Sequence, residues 1–428
     1  MINYLKNTIL GDKFQLTSEF EDYLNKFEDS DGNFYLTGNA GTGKSTLINH
    51  FRRVSKKNVV VLAPTGLAAN NVRGQTIHSF FRLPPKIITP EVIKTLKNKS
   101  GIYKELDTII IDEASMVRAD MLDAIDAFMR KFGRDGYLRF GGTQVILVGD
   151  LYQLPPVVTR SDMIEIGPLY DSPFFFSSNA YDDSFKTLEL TQYFRQSDSN
   201  FINILNKIRK GSASDVELGT INTRVTSTPS KTAVTLSTVN NISDAINAAE
   251  LSKLKGKEFE YQSINYGNFD NNERNLPAPT LLTLKERARV MFTRNGEDWV
   301  NGSLGIVTHL DKDGIEVKLD EGGDVVEVPR AEWKHIKYTF DQKSGEISEE
   351  TVWSMSQYPL KLAYAITVHK SQGMTFDKVN IDYSRSPFAH GQTYVALSRC
   401  KSLEGIFLTK KIRPQDIIID QKIINFHQ

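Results

Sequence analysis

Near its amino end the chain reads Gly38-Asn39-Ala40-Gly41-Thr42-Gly43-Lys44-Ser45, which matches the phosphate-loop pattern G-x-x-x-x-G-K-[ST]. In this pattern the glycines let the backbone curl, so that its N–H groups point inward at phosphate oxygens. The lysine supplies positive charge for the outer phosphates, and the last hydroxyl is a ligand for Mg²⁺. A predicted strand at 34–37 and a predicted helix at 46–51 flank the loop. These neighbours favour a nucleotide site over the alternative, a glycine-rich turn with a surface lysine.

Length, charge and cysteine content set broad limits. At 428 residues the chain exceeds one ordinary core, so about two to four domains are expected. Its 52 basic and 52 acidic residues cancel, which argues against a protein that coats nucleic acid indiscriminately but leaves room for a local basic channel. The single cysteine, Cys400, excludes an internal disulfide. No signal peptide is visible and no apolar run reaches the ~18–20 residues of a membrane span, so we expect a cytoplasmic protein.

A second motif stands where a phosphate-loop enzyme needs one. The apolar run 108–111 predicts a strand buried on both faces, and Asp112 and Glu113 follow it directly. In phosphate-loop enzymes an Asp at such a strand end holds Mg²⁺, and an adjacent Glu can act as general base toward water. The alternative is a helix cap with acidic residues in the first turn. The phosphate loop favours the catalytic interpretation.

Other predicted strands also end in polar residues. The strand at 59–62 leads to Thr65, and the strand at 144–148 leads to Asp150 and Gln153. Ligands of open α/β sheets bind at the carboxyl ends of parallel strands. The Gln153 amide is therefore a candidate contact to the γ-phosphate or its water, with a buried amide that ties two loops as the alternative.

Two arginines are candidates for reaching the transferred phosphoryl group. Arg195 follows a predicted strand at 186–190, and Arg399 ends a helix-like stretch. An arginine aimed at this group accelerates phosphoryl transfer by about 10³–10⁵-fold. The polar segment 365–376 precedes another apolar strand at 379–382, so the second half also resembles an α/β sheet.

Eight segments occur in the order of superfamily-one helicase motifs: GNAGTGKS, APTGLAAN, GQTIHSF, IIIDEAS, GDLYQLPPV, QYFRQ, AITVHKSQGMTF and YVALSRC. They resemble the RecD-like branch and, within it, the petite-integration-frequency (PIF) helicases, whose own signature is similar to residues 115–126. The resemblance covers roughly residues 30 to 410. It implies an α/β fold with two RecA-like domains, parallel sheets, and ATP between the domains. It also implies 5′-to-3′ unwinding of DNA and family roles in DNA repair, recombination and telomere maintenance.

The resemblance assigns roles to individual residues. It implies that Glu113, Lys44, Arg195, Arg399 and Gln153 are catalytic, and that Ser45 and Asp112 hold Mg²⁺. ATP contacts are expected from Gly38, Ala40, Gly41, Thr42, Gly43, Lys44, Ser45, Thr46 and Gln15. Single-stranded DNA contacts are expected from Pro64, Thr65, His78, Phe80, His369 and Lys370. The chain departs from the branch at the adenine-reading glutamine, because Leu16-Thr17 is followed by Ser18-Glu19-Phe20 and Gln15 lies on the other side.

The predicted domains are a first RecA-like domain at 1–195 and a second at 196–256 and 356–428. At about 80–107 the family resemblance implies a small insertion that acts as a wedge or pin against duplex DNA, and the alternative is a plain surface connection. Short alternating strands separated by Asn-Gly, Asp-Gly and Gly-Gly turns fill 257–355, which predicts an inserted β-barrel that resembles the SH3-like subdomain of the family.

The function predicted from these features is a monomeric, ATP-dependent DNA helicase acting on single-stranded, forked or duplex DNA. A DNA-stimulated translocase or remodeller without robust unwinding is the alternative. A non-catalytic nucleotide-binding module is a third class, against which the intact set of Lys44, Asp112, Glu113 and the two arginines argues.

Overall fold

The computed structural model describes residues 16–428 apart from 85, 89–92, 94–100, 197, 268–275, 277, 300, 313 and 342–345. Within these residues two parallel sheets with helices packed against them form an α/β fold, which confirms that part of the predicted fold class. In the same part of the chain, no helix has the length and apolar character that crossing a membrane requires.

The first half of the chain builds a six-stranded parallel sheet. Its strands are β1 (Asn33–Gly38), β2 (Val59–Ala63), β3 (Gln75–Thr76), β4 (Thr108–Ile111), β5 (Gln144–Val148) and β6 (Phe185–Leu190). The helices are α1 (Ser18–Asp29), α2 (Lys44–Val54), α3 (Gly66–Asn71), α4 (Ile77–Phe81), α5 (Ile102–Glu105), α6 (Ala119–Phe132) and α7 (Arg160–Ile166). The strand order is β3-β2-β4-β5-β1-β6. Every residue of β4 and β5 is buried, because helices cover both faces of a parallel sheet.

The rest of the chain contributes the remaining elements. Its strands are β7 (Val234–Ser237), β8 (Phe259–Gln262), β9 (Ile264–Gly267), β10 (Leu281–Leu284), β11 (Arg289–Phe292), β12 (Leu304–Leu310), β13 (Ile315–Leu319), β14 (Val325–Glu327), β15 (Ala331–Asp341), β16 (Glu346–Gln357), β17 (Leu360–Leu362), β18 (Ala365–Thr367), β19 (Val379–Asp382) and β20 (Ile406–Leu408). Its helices are α8 (Ser199–Arg209), α9 (Asp215–Asn222), α10 (Asn240–Lys253), α11 (Gln392–Leu397) and α12 (Gln421–Phe426). The second parallel sheet has the order β18-β7-β19-β20.

The SH3-like barrel predicted for 257–355 is not found, because no closed barrel forms among the described residues. Instead, the strands make a five-stranded antiparallel sheet (β14-β13-β12-β11-β17), a two-stranded sheet (β10-β8) and a three-stranded sheet (β15-β16-β9). The 11-residue β15 and the 12-residue β16 pair with each other from Ala331–Gln357 to Asp341–Glu346. The two-stranded and five-stranded sheets share one hydrophobic core, whereas Trp333 and Met355 of the hairpin belong to a separate buried cluster.

Two elements from the later part of the chain enter the core of the first half. Tyr338 of β15 is buried against Phe80, and its hydroxyl accepts a hydrogen bond from the Val61 N–H at 3.4 Å. At the carboxyl end, Phe426 of α12 stacks on Phe176 with ring centroids 4.5 Å apart. The hydrophobic core around the first sheet therefore includes residues from both halves of the chain. The sequence-based domain boundaries stay a prediction.

Candidate nucleotide and DNA site

The phosphate loop lies between β1 and α2, and its shape depends on glycine. Gly41 has φ +85°, and a Cβ added there would lie 2.5 Å from the Arg195 Cβ. Gly43, with φ +84°, occupies the N-cap position of α2. It has no side chain to accept a hydrogen bond from the first turn, so backbone N–H groups at the amino end of α2 remain available at the loop. Such an end offers backbone N–H groups and a positive dipole to an anion.

Lys44 occupies the centre of the loop. Its Nζ donates hydrogen bonds to the Gly38 carbonyl at 2.7 Å and to the Asn39 carbonyl at 3.0 Å. Burial lowers its pKa, while the carboxylates of Asp150 and Glu113 act in the opposite direction. The ammonium is thus held inside the loop by carbonyl oxygens that a phosphate can replace.

Ser45 and Asp112 converge from two elements. Ser45 lies in the first turn of α2, and Asp112 directly follows β4. The Ser45 Oγ donates a hydrogen bond to Asp112 Oδ2 at 3.3 Å. Burial raises the pKa of Asp112, against hydrogen bonds from the Glu113 N–H and the Ser45 hydroxyl. A hydroxyl and a carboxylate are the oxygen ligands that Mg²⁺ takes in phosphate-loop sites, so this donor set fits the cation.

Glu113 adopts a left-handed backbone conformation, with φ +51°, which is uncommon for a residue with a Cβ. Burial and the negative charge of Asp112 raise its pKa from 4.5 to about 7. A carboxylate with a pKa in this range is suited to accept a proton near neutral pH.

Gln153 is 7% exposed and lines the same cavity. Its Nε2 donates to Asp150 Oδ2 at 3.3 Å, so the side chain is oriented by a carboxylate at the end of β5. The amide is bonded to the loop residue Asp150, as in the structural interpretation, and it also lines the cavity, as a contact to the γ-phosphate or its water would require.

The two candidate arginines meet at Ser398. The Arg195 Nη1 donates to the Ser398 carbonyl at 3.4 Å, and the Arg399 Nη2 donates to the Ser398 Oγ at 2.9 Å. Arg399 is 1% exposed, and burial together with Arg195 lowers its pKa to about 9. Neither arginine forms an ion pair with a carboxylate in the part of the chain that the structure describes, so the two cations are suited to an added anion.

A cavity of about 530 Å³ joins these groups. Both halves of the chain line it. The lining residues that precede the second sheet are Phe20, Ala40, Gly41, Gly43, Lys44, Ser45, Thr46, Asp112, Glu113, Gly149, Gln153, Phe194 and Arg195. Those in the loops of the second sheet are Gly373, Thr375, Arg399 and Lys401. The structure thus places every predicted catalytic residue at one cavity. Gln15 lies outside the described residues.

Some residues at this site were missed from the sequence. The Tyr394 hydroxyl accepts a hydrogen bond from the Ala40 N–H at 3.0 Å and so links α11 to the phosphate loop. Phe20 and Phe194 line the mouth of the cavity with ring centroids 5.9 Å apart. Phe20 had one signal, its position just after Leu16-Thr17. Phe194 lies within the QYFRQ motif, next to Arg195, but the sequence analysis assigned it no role.

The predicted DNA-contacting residues come from both halves of the chain. Pro64 and Thr65 are half-buried, and Thr65 accepts from the Ala68 N–H at 3.2 Å at the start of α3. His369 is half-buried and Lys370 is exposed, after β18. A Cβ on Gly373 would lie 3.7 Å from the Asn71 amide nitrogen, so the end of α3 adjoins the loop after β18.

His78 and Phe80 differ in their surroundings on α4. His78 is half-buried, and burial lowers its pKa. Phe80 is 5% exposed and makes edge-to-face contacts with Phe81, Tyr103 and Tyr338 at 4.8 to 5.8 Å. A ring in this position supports the core, and its contact with DNA stays a prediction.

Comparison with known proteins identifies the family. The family model described as PIF1-like helicase matches residues 15–218. The ATP-dependent DNA helicase Pif1 of Bdellovibrio bacteriovorus is 32% identical over 408 residues, which cover 92% of this chain and 88% of the relative. The chain belongs to the PIF1-like helicase family. The human ATP-dependent DNA helicase PIF1 is also 32% identical, over 409 residues that cover 92% of the chain but only 60% of the human protein.

Solved structures of this family share the fold. Pif1 from Bacteroides sp in complex with ADP-AlF4 is 37% identical and superposes with a TM-score of 0.89 over 97% of both chains. The same Bacteroides protein bound to single-stranded DNA covers the same share of both chains, with a TM-score of 0.70. Unliganded Pif1 from Bacteroides sp has a TM-score of 0.86, so the arrangement described here is more similar to both structures without DNA than to the DNA complex.

Proposed function

We propose that the cavity between the two halves binds MgATP and that ATP hydrolysis drives the chain 5′ to 3′ along single-stranded DNA. As a member of the PIF1-like helicase family, the protein is an ATP-dependent DNA helicase. The observation that carries the proposal is the convergence of Lys44, Glu113 and Arg399 on one cavity lined by both halves. Relatives named as ATP-dependent DNA helicases and a Bacteroides Pif1 complex with an ATP analogue support it.

Within this proposal, Ser45 and Asp112 would hold Mg²⁺. When bound, the cation neutralises charge on the phosphates during transfer. Lys44 and the amino end of α2 bind the phosphates, because both present positive charge to the loop. Glu113 accepts the proton of the attacking water, and Gln153 orients that water.

Arg195 and Arg399 place positive charge near the phosphoryl oxygens, where negative charge develops in the transition state. Arg399 follows α11 in the second half, whereas Lys44 belongs to the first half, so both reach one ligand only when the halves are closed. Nucleotide binding therefore favours closure, and loss of the γ-phosphate removes the groups that hold it.

The DNA track is proposed to run over loops of both halves. Thr65 and His78 lie on the first half, and His369 and Lys370 lie on the second. Closure changes the separation of the two pairs, which moves the strand relative to the protein. The polarity of movement and the monomeric state come from the family resemblance and stay predictions.

Strand displacement tests the proposal against the alternative, a translocase that does not unwind. Forked or tailed duplexes with a 5′ or a 3′ single strand are compared, beside ATPase with and without single-stranded DNA. We expect unwinding of the 5′-tailed substrate and DNA-stimulated ATPase. The Lys44→Ala variant should lose both activities and retain binding to single-stranded DNA. DNA-stimulated ATPase without strand displacement would establish the translocase instead, and unwinding of the 3′-tailed substrate alone would overturn the polarity.

A further inference from the structure

The loop that carries Gln153 is held by contacts from the second half of the chain. Arg209 is the last residue of α8, and its guanidinium donates to Asp150 through Nη2 at 2.9 Å and through Nε at 3.2 Å. The two side chains are 4% and 1% exposed, so this ion pair is buried between the halves. The guanidinium also lies 4.4 Å from the centre of the Tyr152 ring.

The Asp150 carboxylate transmits this contact to the nucleotide cavity. Burial would raise its pKa, but the charges of Arg209 and Lys44 outweigh burial and lower it. Its oxygens also accept from the Tyr152 N–H at 3.1 Å and from the Gln153 amide at 3.3 Å. One carboxylate thus binds Arg209 on one side and orients Gln153 on the other.

A second contact holds the same loop from the segment before α11. The His390 Nδ1 accepts from the Asp420 N–H at 3.0 Å, so its Nε2 carries the proton and donates to the Leu151 carbonyl at 2.8 Å. The next residue, Gly391, approaches the loop so closely that an added Cβ would lie 2.4 Å from the Tyr152 and Gln153 carbonyl oxygens. The loop 150–153 therefore follows the position of the second half.

The other residues of α8 bind it to the second half. Phe201, Ile204 and Ile208 are buried in the hydrophobic core that contains β7 and β19. Movement of that core relative to the first sheet therefore moves Arg209, and Arg209 acts on Asp150 across the interface.

We propose that Arg209 and His390 are positioning residues that set Gln153 according to the closure of the two halves. The inference rests on the proposed contact of Gln153 with the γ-phosphate or its water. In this proposal, closure of the halves on DNA affects ATP hydrolysis through the buried ion pair between Arg209 and Asp150, which includes no ligand atom. Neither residue is among those that line the nucleotide cavity.

The test compares DNA-stimulated with basal ATPase. Because loss of Arg209 alone leaves the Asp150 carboxylate buried and unpaired, the main variant is the double change Asp150→Asn with Arg209→Met, and Arg209→Lys is the conservative variant. Arg224→Met is the matched control, because the Arg224 guanidinium donates to the Ile406 and Glu404 carbonyls and lies over the Phe407 ring, all within the second half. Thermal unfolding and the Kd of a non-hydrolysable ATP analogue are measured for each variant.

The double variant should lower DNA-stimulated kcat by on the order of 10- to 100-fold, as expected for a mispositioned catalytic group. Its analogue Kd should stay within about twofold, since the phosphate loop is intact. Arg209→Lys should recover part of the rate, and His390→Phe should lower the stimulation in the same direction. Arg224→Met should leave the ratio of stimulated to basal rate unchanged.

Gln153→Ala separates this inference from the proposed function. If Gln153→Ala loses stimulated turnover and the Arg209 variants keep it, the positioning role is wrong while the role of Gln153 stands. If Gln153→Ala keeps full turnover, the proposed role of Gln153 is wrong. Combining Gln153→Ala with the double change should cause no further loss, because both act through one amide, and fully additive losses would overturn the inference.

Discussion

The pKa of Glu113 leads to a quantitative prediction about the pH dependence of ATP hydrolysis. Burial and Asp112 raise this pKa to about 7. A carboxyl group with that pKa is ionised in about one molecule of eleven at pH 6 and about ten of eleven at pH 8. Because the carboxylate is the form that accepts a proton from water, activity is lost as the pH falls through about 7. We expect the rate to increase about tenfold from pH 6 to pH 8.

The assay is kcat/KM for MgATP between about pH 5.5 and pH 8.5, because this parameter reports the ionisation of groups in the free enzyme. The Glu113→Gln variant is the control. It cannot act as base, and the Kd of MgATP for this variant at each pH shows how far binding itself titrates. The hydrolysis profile is corrected by that binding profile before it is compared with the expected midpoint.

Two results would contradict the assignment. A corrected profile that is flat from pH 6 to pH 8 would show that Glu113 does not limit the reaction through its protonation. A midpoint near the ordinary glutamate value of about 4.5 would show that burial and Asp112 do not act on the working carboxylate. Retention of full turnover by Glu113→Gln would remove the residue from the mechanism altogether.

Two further predictions concern the DNA-facing surface. Phe80→Ala should destabilise the fold by about 3–5 kcal/mol, since it removes a buried aromatic ring, and a thermal melt checks this. An unchanged melting temperature with weaker DNA binding would instead show that the ring contacts a base. Affinity for single-stranded DNA should fall with salt with a log–log slope of about −0.7 per phosphate neutralised, and Lys370→Ala should reduce that slope by about 0.7 in titrations. A flat salt response would contradict an electrostatic track.

Most of the parallel strands, but not all, could be predicted from the sequence almost to the residue. The short strands β3, β18 and β20 were not predicted, and β18 lies within the segment 365–376 that was expected to be a polar loop. The runs expected at 108–111, 144–148 and 379–382 are strands with those bounds. A strand buried on both faces must be apolar throughout, and it ends where the chain returns to polar loops. That constraint acts locally, so the pattern alone defines it.

The arrangement of the inserted strands could not be predicted in the same way. Short strands were expected within 257–355 and are present there, but alternation gives only the inward face of a strand and not the partner with which it pairs. The 11- and 12-residue strands of the long hairpin extend to the first half of the chain, where Tyr338 packs against Phe80. In the sequence, Tyr338 is one tyrosine of sixteen and carries no mark of that contact.

The ion pair at Asp150 shows why single motifs are easier to predict from sequence than the contacts between the two halves of the chain. In the sequence this residue is one of several polar groups at strand ends, whereas its oxygens are engaged by Arg209, the Tyr152 N–H and the Gln153 amide. Arg209 is 59 residues away on a helix whose pattern indicates only which face is buried. Such a partner is selected by the packing of one half against the other, and under the proposed mechanism that packing changes as the halves open and close. The contacts that couple the halves are therefore those about which local sequence carries least information, and substitutions at the interface are needed to find them.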